Sequence, residues 1–181
     1  MSSSNTATAA AKPSSNRWLM LILGIICMAS VANLQYGWTL FVLPIEHKFG
    51  WSKADIQVAF TLFILLETWL VPFEGYIVDR IGPRWVVMFG GFCTFLAWFI
   101  DSNATSLGML YLGGAIGGIA GGAVYGTCVG NALKWFPDKR GLCAGLTAAG
   151  FGAGAAITIA PIRAMIESSG YQHTFLFFAI L

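Results

Sequence analysis

The sequence predicts an all-α membrane protein, and three observations carry that reading. Hydrophobic residues make up 57% of the chain and charged residues only 10%, where a soluble domain carries about 25% charge. Long apolar stretches recur along the chain, separated by short polar turns. Lysine and arginine crowd alternate turns, which is the asymmetry that orients membrane helices.

The same composition excludes other classes. A net charge of +2 is too small for a nucleic-acid partner, and the basic residues lie between spans rather than in a patch. Cys27, Cys93, Cys128 and Cys143 each fall in a different apolar stretch without metal-ligand or CxxC spacing, so they read as small core residues. No nucleophile with a base and no HExxH pattern appears, so the chain reads as neither an enzyme nor the holder of a metal or cofactor.

The elements follow in order. Residues 1–17 are mostly Ser, Ala, Asn and Thr, a composition that suggests a disordered tail. Arg17 and the apolar run after it mimic a signal peptide, but the pattern continues to Pro44 and reads as an uncleaved first span. That helix, 18–44, is roughly 40 Å long, a full crossing. Ser52-Lys53-Ala54-Asp55 is a capping box that opens a second helix over 52–78, with Pro72 inside it. Gly82-Pro83 opens a third over 83–100, since proline suits the first helical position. Asp101-Ser102-Asn103 reads as a polar turn before a fourth helix over 107–133. A fifth follows over 142–165, ended by Ser168-Ser169-Gly170. The last apolar run, 174–181, covers only about 12 Å of a core about 30 Å thick. It predicts a sixth helix cut short, with a missing C-terminal half as partner.

Lys12, Arg17, Arg80, Arg84, Lys134, Lys139 and Arg140 lie on one side, against Lys48, Lys53 and Arg163 on the other. That imbalance puts the N-terminus in the cytoplasm of a multi-pass protein of the plasma (inner) membrane. Helix four carries Gly114, Gly118, Gly122, Gly126 and Gly130 on nearly one face, and helix five carries Gly141, Gly145, Gly150 and Gly154. Such faces let helices pack closely, and the same faces could slide. Glu67 lies mid-span, where an acid costs about 2.5–3.5 kcal/mol on insertion scales. It is either a proton-coupling group or a hydrogen-bonded strut, and Glu74 shares its face. Arg163 and Glu167 form a surface i,i+4 pair, and His47 and His173 read as interfacial.

The loop between helices two and three reads Gly75-Tyr76-Ile77-Val78-Asp79-Arg80-Ile81-Gly82-Pro83-Arg84. A generic positive loop explains its arginines but neither Asp79 nor the two spaced glycines, which would let the backbones approach closely. The spacing resembles the corresponding loop of the major facilitator superfamily, with Trp85 where that family often has a further basic residue. The resemblance implies the N-terminal six-helix bundle of a twelve-helix fold, with Gly75, Asp79, Arg80, Gly82, Arg84 and Asp138 as a gating motif. In it, Arg80 or Arg84 would reach Asp138.

Three further segments sharpen the likeness: Gln35-Tyr36-Gly37-Trp38-Thr39, Trp135-Phe136-Pro137-Asp138-Lys139-Arg140-Gly141-Leu142 and Ala148-Ala149-Gly150-Phe151-Gly152. Together they resemble the oxalate:formate antiporter family. That resemblance implies alternating-access transport of a small carboxylate anion across the lipid bilayer, with Gln35, Tyr36, Tyr125 and Phe151 lining the substrate site. The family's best-known member has tyrosine where this chain has Phe151, which puts oxalate itself in question. The cations that pair the carboxylates would come from the second six helices, in keeping with the lack of any Lys or Arg mid-span here. A monocarboxylate or nitrate transporter and a non-transporting membrane subunit are the other readings.

Overall fold

A computed structural model describes residues 16–180. These form eight helices: α1 Arg17–Tyr36, α2 Trp38–Phe49, α3 Lys53–Trp69, α4 Val71–Ile81, α5 Pro83–Ser102, α6 Leu107–Trp135, α7 Arg140–Ser169 and α8 Tyr171–Ile180. The tail expected over 1–17 lies outside the described residues as far as residue 15, and Arg17 already belongs to α1. Four spans are long and apolar enough to cross a membrane, with α1 and α2 running together as one, and the bent pair α3–α4 makes a fifth.

The first span does not stop at Pro44. It passes through a tight point at Gly37, whose N–H bonds the Asn33 carbonyl at 3.0 Å and where a Cβ would lie 2.7 Å from that same oxygen. Pro44 then sits inside α2, which runs on to Phe49 and ends at Gly50 with φ +69°. A proline removes one hydrogen bond, and the surrounding turns hold because Phe41, Val42 and Ile45 are buried. Ser52 caps the helix as its spacing predicts, with the Asp55 N–H bonding Ser52 Oγ at 3.2 Å, but the Asp55 carboxylate takes the Ser52 hydroxyl at 2.7 Å rather than the Ser52 N–H of a full capping box. The second span is two helices bent by 51° at Leu70. Pro72 has no N–H, so the Thr68 carbonyl loses its i+4 donor and the helix breaks there.

Glycines set the packing. A Cβ on Gly114 would strike the Ala59 backbone, one on Gly118 the Phe63 backbone, and one on Gly122 would meet the Glu67 carbonyl at 3.0 Å. Both helices advance four residues per contact, so α3 and α6 run parallel in close backbone contact. Gly126 and Gly130 meet nothing within 4 Å, so the ladder grips α3 only along its first three rungs. On α7, Gly141 and Gly145 are also open, while Gly150 meets Ile25 and Gly154 meets Ala29. The fifth span's glycines therefore pack on α1 rather than on the fourth span.

Helices α5 and α6 run antiparallel, with Gly90 at Val124, Ala97 at Gly117 and Asp101 at Gly113. Asp101 and Ser102 are buried in the last turn of α5 rather than standing in a polar turn. Two aromatic clusters close the ends of the bundle. Phe41 stacks on Phe175 at 4.0 Å beside Trp98, joining α2, α5 and α8. At the other end Phe136 is fully buried, with the Trp18 ring edge-on at 5.0 Å and the Arg17 guanidinium 4.9 Å from its centroid. The Trp-Phe-Pro segment is thus an anchor that ties α1 to the α6–α7 turn.

Candidate functional site

Three spans meet around one buried ring. Phe151 on α7 is 5% exposed, and its ring lies 5.5 Å from Tyr36 of α1 and 5.5 Å from Tyr125 of α6. Both contacts are edge-to-face, the arrangement that ring quadrupoles favour. The tyrosines are 48% and 38% exposed, and neither hydroxyl has a hydrogen bond among the described residues. Two O–H donors, unpaired among the described residues, therefore flank a hydrophobic floor. Gln35 is half-buried beside Tyr36 and carries no hydrogen bond among the described residues.

One turn below Tyr36, the buried Asn33 side chain accepts a hydrogen bond from Thr158 of α7, and the same hydroxyl bonds the Gly154 carbonyl at 2.7 Å. Sequence reasoning missed both residues. Asn33 is a polar side chain inside the first apolar run, and that was the available signal. Thr158 gave none, because threonine is common in membrane helices and can bond its own backbone.

Charged groups gather at the end of the bundle that holds the α4–α5 turn. Asp79 pairs with Lys134 of α6 at 2.7 Å, and Asp138 pairs with Arg17 at 3.2 Å. The expected contact of Arg80 or Arg84 with Asp138 does not form. Arg80 stacks on its own helix over Tyr76, 4.9 Å from the ring centroid, and Arg84 is exposed. Lys134 and Arg17 are nearer, because α6 and the start of α1 both border the turn. The two loop glycines also differ from expectation, since neither meets a neighbour within 4 Å. Gly82 is required by its backbone instead: its φ of +89° is one that L side chains rarely adopt.

The two acids of the second span straddle its bend. Glu67 is half-buried on α3, with Oε1 3.0 Å from where a Cβ on Gly121 would sit. Glu74 is buried on α4 against Gly122. Neither carboxylate has a hydrogen bond or a cation among the described residues. Arg163 and Glu167 form the exposed i,i+4 pair at 3.0 Å, and His47 and His173 are exposed.

Comparison with known proteins adds a lineage. The family profile for the Major Facilitator Superfamily matches residues 20–181. The oxalate:formate antiporter of Oxalobacter formigenes is 36% identical over 166 residues, 92% of this chain and 40% of that protein. A probable nitrate transporter of Staphylococcus epidermidis is 34% identical over 68% of this chain and 32% of its own length. A probable chloroplastic anion transporter of Arabidopsis thaliana is 26% identical over 90% of this chain and 33% of its own. The chain spans about 40% of the first relative's length and about a third of the other two.

Proposed function

The chain belongs to the major facilitator superfamily, and on that premise we propose that it forms the first bundle of a transporter that moves small carboxylate anions by alternating access. The observation that carries this reading is the Tyr36–Phe151–Tyr125 cluster, with two unengaged hydroxyls over one buried ring. Each hydroxyl donates to a carboxylate oxygen, Phe151 forms the wall between them, and Gln35 adds an amide at the rim. The anion's charge is balanced from the second bundle, because no Lys or Arg of this chain lies mid-span. The N-terminus faces the cytoplasm across the plasma membrane, which places the Asp79–Lys134 and Arg17–Asp138 pairs at the inner mouth. There they brace one state of the cycle, and their rupture accompanies the other.

The test is uptake of radiolabelled oxalate, formate and other small carboxylates by the protein at its full natural length in liposomes. Tyr36→Phe removes one hydrogen bond to a charged oxygen, worth about 1.5–3 kcal/mol, so affinity falls by roughly ten- to a hundredfold. Unchanged affinity for every anion tested would remove Tyr36 from the site. A second reading rests on Phe151, whose missing hydroxyl leaves fewer donors for a dianion. It makes the cargo a monocarboxylate or nitrate, and competition among these anions in the same assay separates the two.

A further inference from the structure

Glu74 is a buried group that the carboxylate site leaves unexplained. Its side chain lies on α4, just past the bend at Leu70, and the residue is 8% exposed. Both carboxyl oxygens are shielded and without a hydrogen-bond partner among the described residues. They are pressed against α6 where Gly122 leaves room: a Cβ there would lie 2.7 Å from Oε2 and 3.0 Å from Oε1. The Glu67 carbonyl oxygen lies 3.0 Å from the same point. Glu74 also lines a cavity of about 390 Å³ between α4 and α6, together with Thr127, Asn131, Asp79 and Lys134. Thr127 is 3% exposed, and its hydroxyl is a second buried polar group there with no partner.

We propose that Glu74 holds a proton in this conformation and exchanges it with water through the α4–α6 cavity, so that the α4–α6 contact is a proton-binding site. A carboxyl enclosed by backbone and apolar side chains needs to be neutral or paired, and no cation among the described residues reaches it. The groups that face it are few. Glu67 on α3 is a second acid, which opposes a second negative charge. On α4, Asp79 is neutralised by Lys134 of α6 at 2.7 Å. From α5, Val86 and Pro83 line the spaces beside Glu74 and carry no charge. A metal ion fits poorly, because the point the three oxygens share is one C–C bond from the Gly122 Cα. A proton needs no coordination shell.

Release is a simple transfer. The Glu74 O–H bond breaks, its electron pair stays on the carboxylate, and a new O–H bond on a cavity water makes hydronium. Thr127 and Asn131 line the same cavity and carry the O–H and N–H donors that a bared carboxylate needs. The cavity reaches the Asp79–Lys134 pair, so the proton leaves on the side where the α4–α5 turn lies. Swinging α4 about the Leu70 break would widen that path, which ties protonation to the conformational cycle. This assignment does not depend on which anion is carried.

Infrared difference spectroscopy on the protein at its full natural length in lipid nanodiscs tests it. At neutral pH the wild type and Glu67→Gln should show a protonated-carboxyl carbonyl stretch that persists in Asp101→Asn, the change that removes the other buried acid, and Glu74→Gln should lose that component. Raising the pH should bleach the band, and Gly122→Ala should shift it by displacing the carboxyl. The shift and the pH bleach decide the matter even where Glu74→Gln does not fold. A band absent from the wild type at neutral pH overturns the proposal. Loss in Glu67→Gln rather than Glu74→Gln moves the proton to the other acid and also overturns it. So does bleaching by sodium at constant pH, which would make the place a cation site.

Discussion

Replacing Gly118 by alanine should loosen the α3–α6 seam, and the cost can be worked from the geometry. The added Cβ would lie 3.1 Å from the Phe63 carbonyl carbon and 3.1 Å from Leu66 Cβ, and closer still to the Phe63 oxygen. Optimal carbon contacts fall at about 3.5–4.0 Å, so the helices must part by roughly half an ångström or more. The obstruction is backbone, which cannot rotate away as a side-chain tip can. Overpacking of this kind costs about 1–3 kcal/mol. Gly126→Ala is the control, because nothing lies within 4 Å of its Cβ. Both changes carry the same glycine-to-alanine helix term, so their difference isolates the clash. In a Cys27→Ser background, which removes the one partly exposed thiol among the described residues, unfolding can be followed by a thiol-reactive fluorophore, since Cys93, Cys128 and Cys143 are buried and react once the bundle opens. Gly118→Ala should unfold about 1–3 kcal/mol more easily than Gly126→Ala. Equal stability would refute close backbone packing between α3 and α6.

Three other outcomes follow from single sites. Phe151→Tyr adds a hydroxyl between the two tyrosine rings and should tighten oxalate binding by about tenfold or more, at roughly 1.5–3 kcal/mol per charged hydrogen bond. An unaltered oxalate competition curve from a folded variant would take that ring off the site wall. Asp79→Cys should resist a membrane-impermeant thiol reagent in intact cells and label after permeabilisation; labelling from outside would invert the orientation. Ser52→Ala removes the cap on the Asp55 N–H and should cost about 0.5–2 kcal/mol in thermal unfolding, with no change if α3 frays at its start regardless.

Much of the helical plan was legible because it depends on local rules. Ser52 with Asp55 and Gly82 with Pro83 mark helix starts through hydrogen bonds and dihedral angles made within a few residues. Pro44 and Pro72 carry the same chemistry yet act differently. Buried Phe41 and Ile45 hold α2 together past Pro44, while the second span bends by 51° just before Pro72. Proline in sequence announces a lost hydrogen bond, and only packing decides whether the helix breaks. The aromatic residues of the candidate site were named from motif resemblance, but their meeting at Phe151 depends on how three separate spans rotate about their axes.

Composition and local spacing set the solvent, the class and the lineage: an apolar chain with few charges must hydrogen-bond its own backbone in lipid, and helices do that within each segment. Its loop motifs marked the family that the profile match then showed. Tertiary structure decided the pairings. It gave Asp79 to Lys134 and Asp138 to Arg17, turned the fifth span's glycines toward α1, and left Glu74 enclosed against Gly122. Charges and small residues pair with whatever a neighbouring helix presents at that depth, and the register between helices far apart in sequence is set by the whole packed bundle rather than by local spacing.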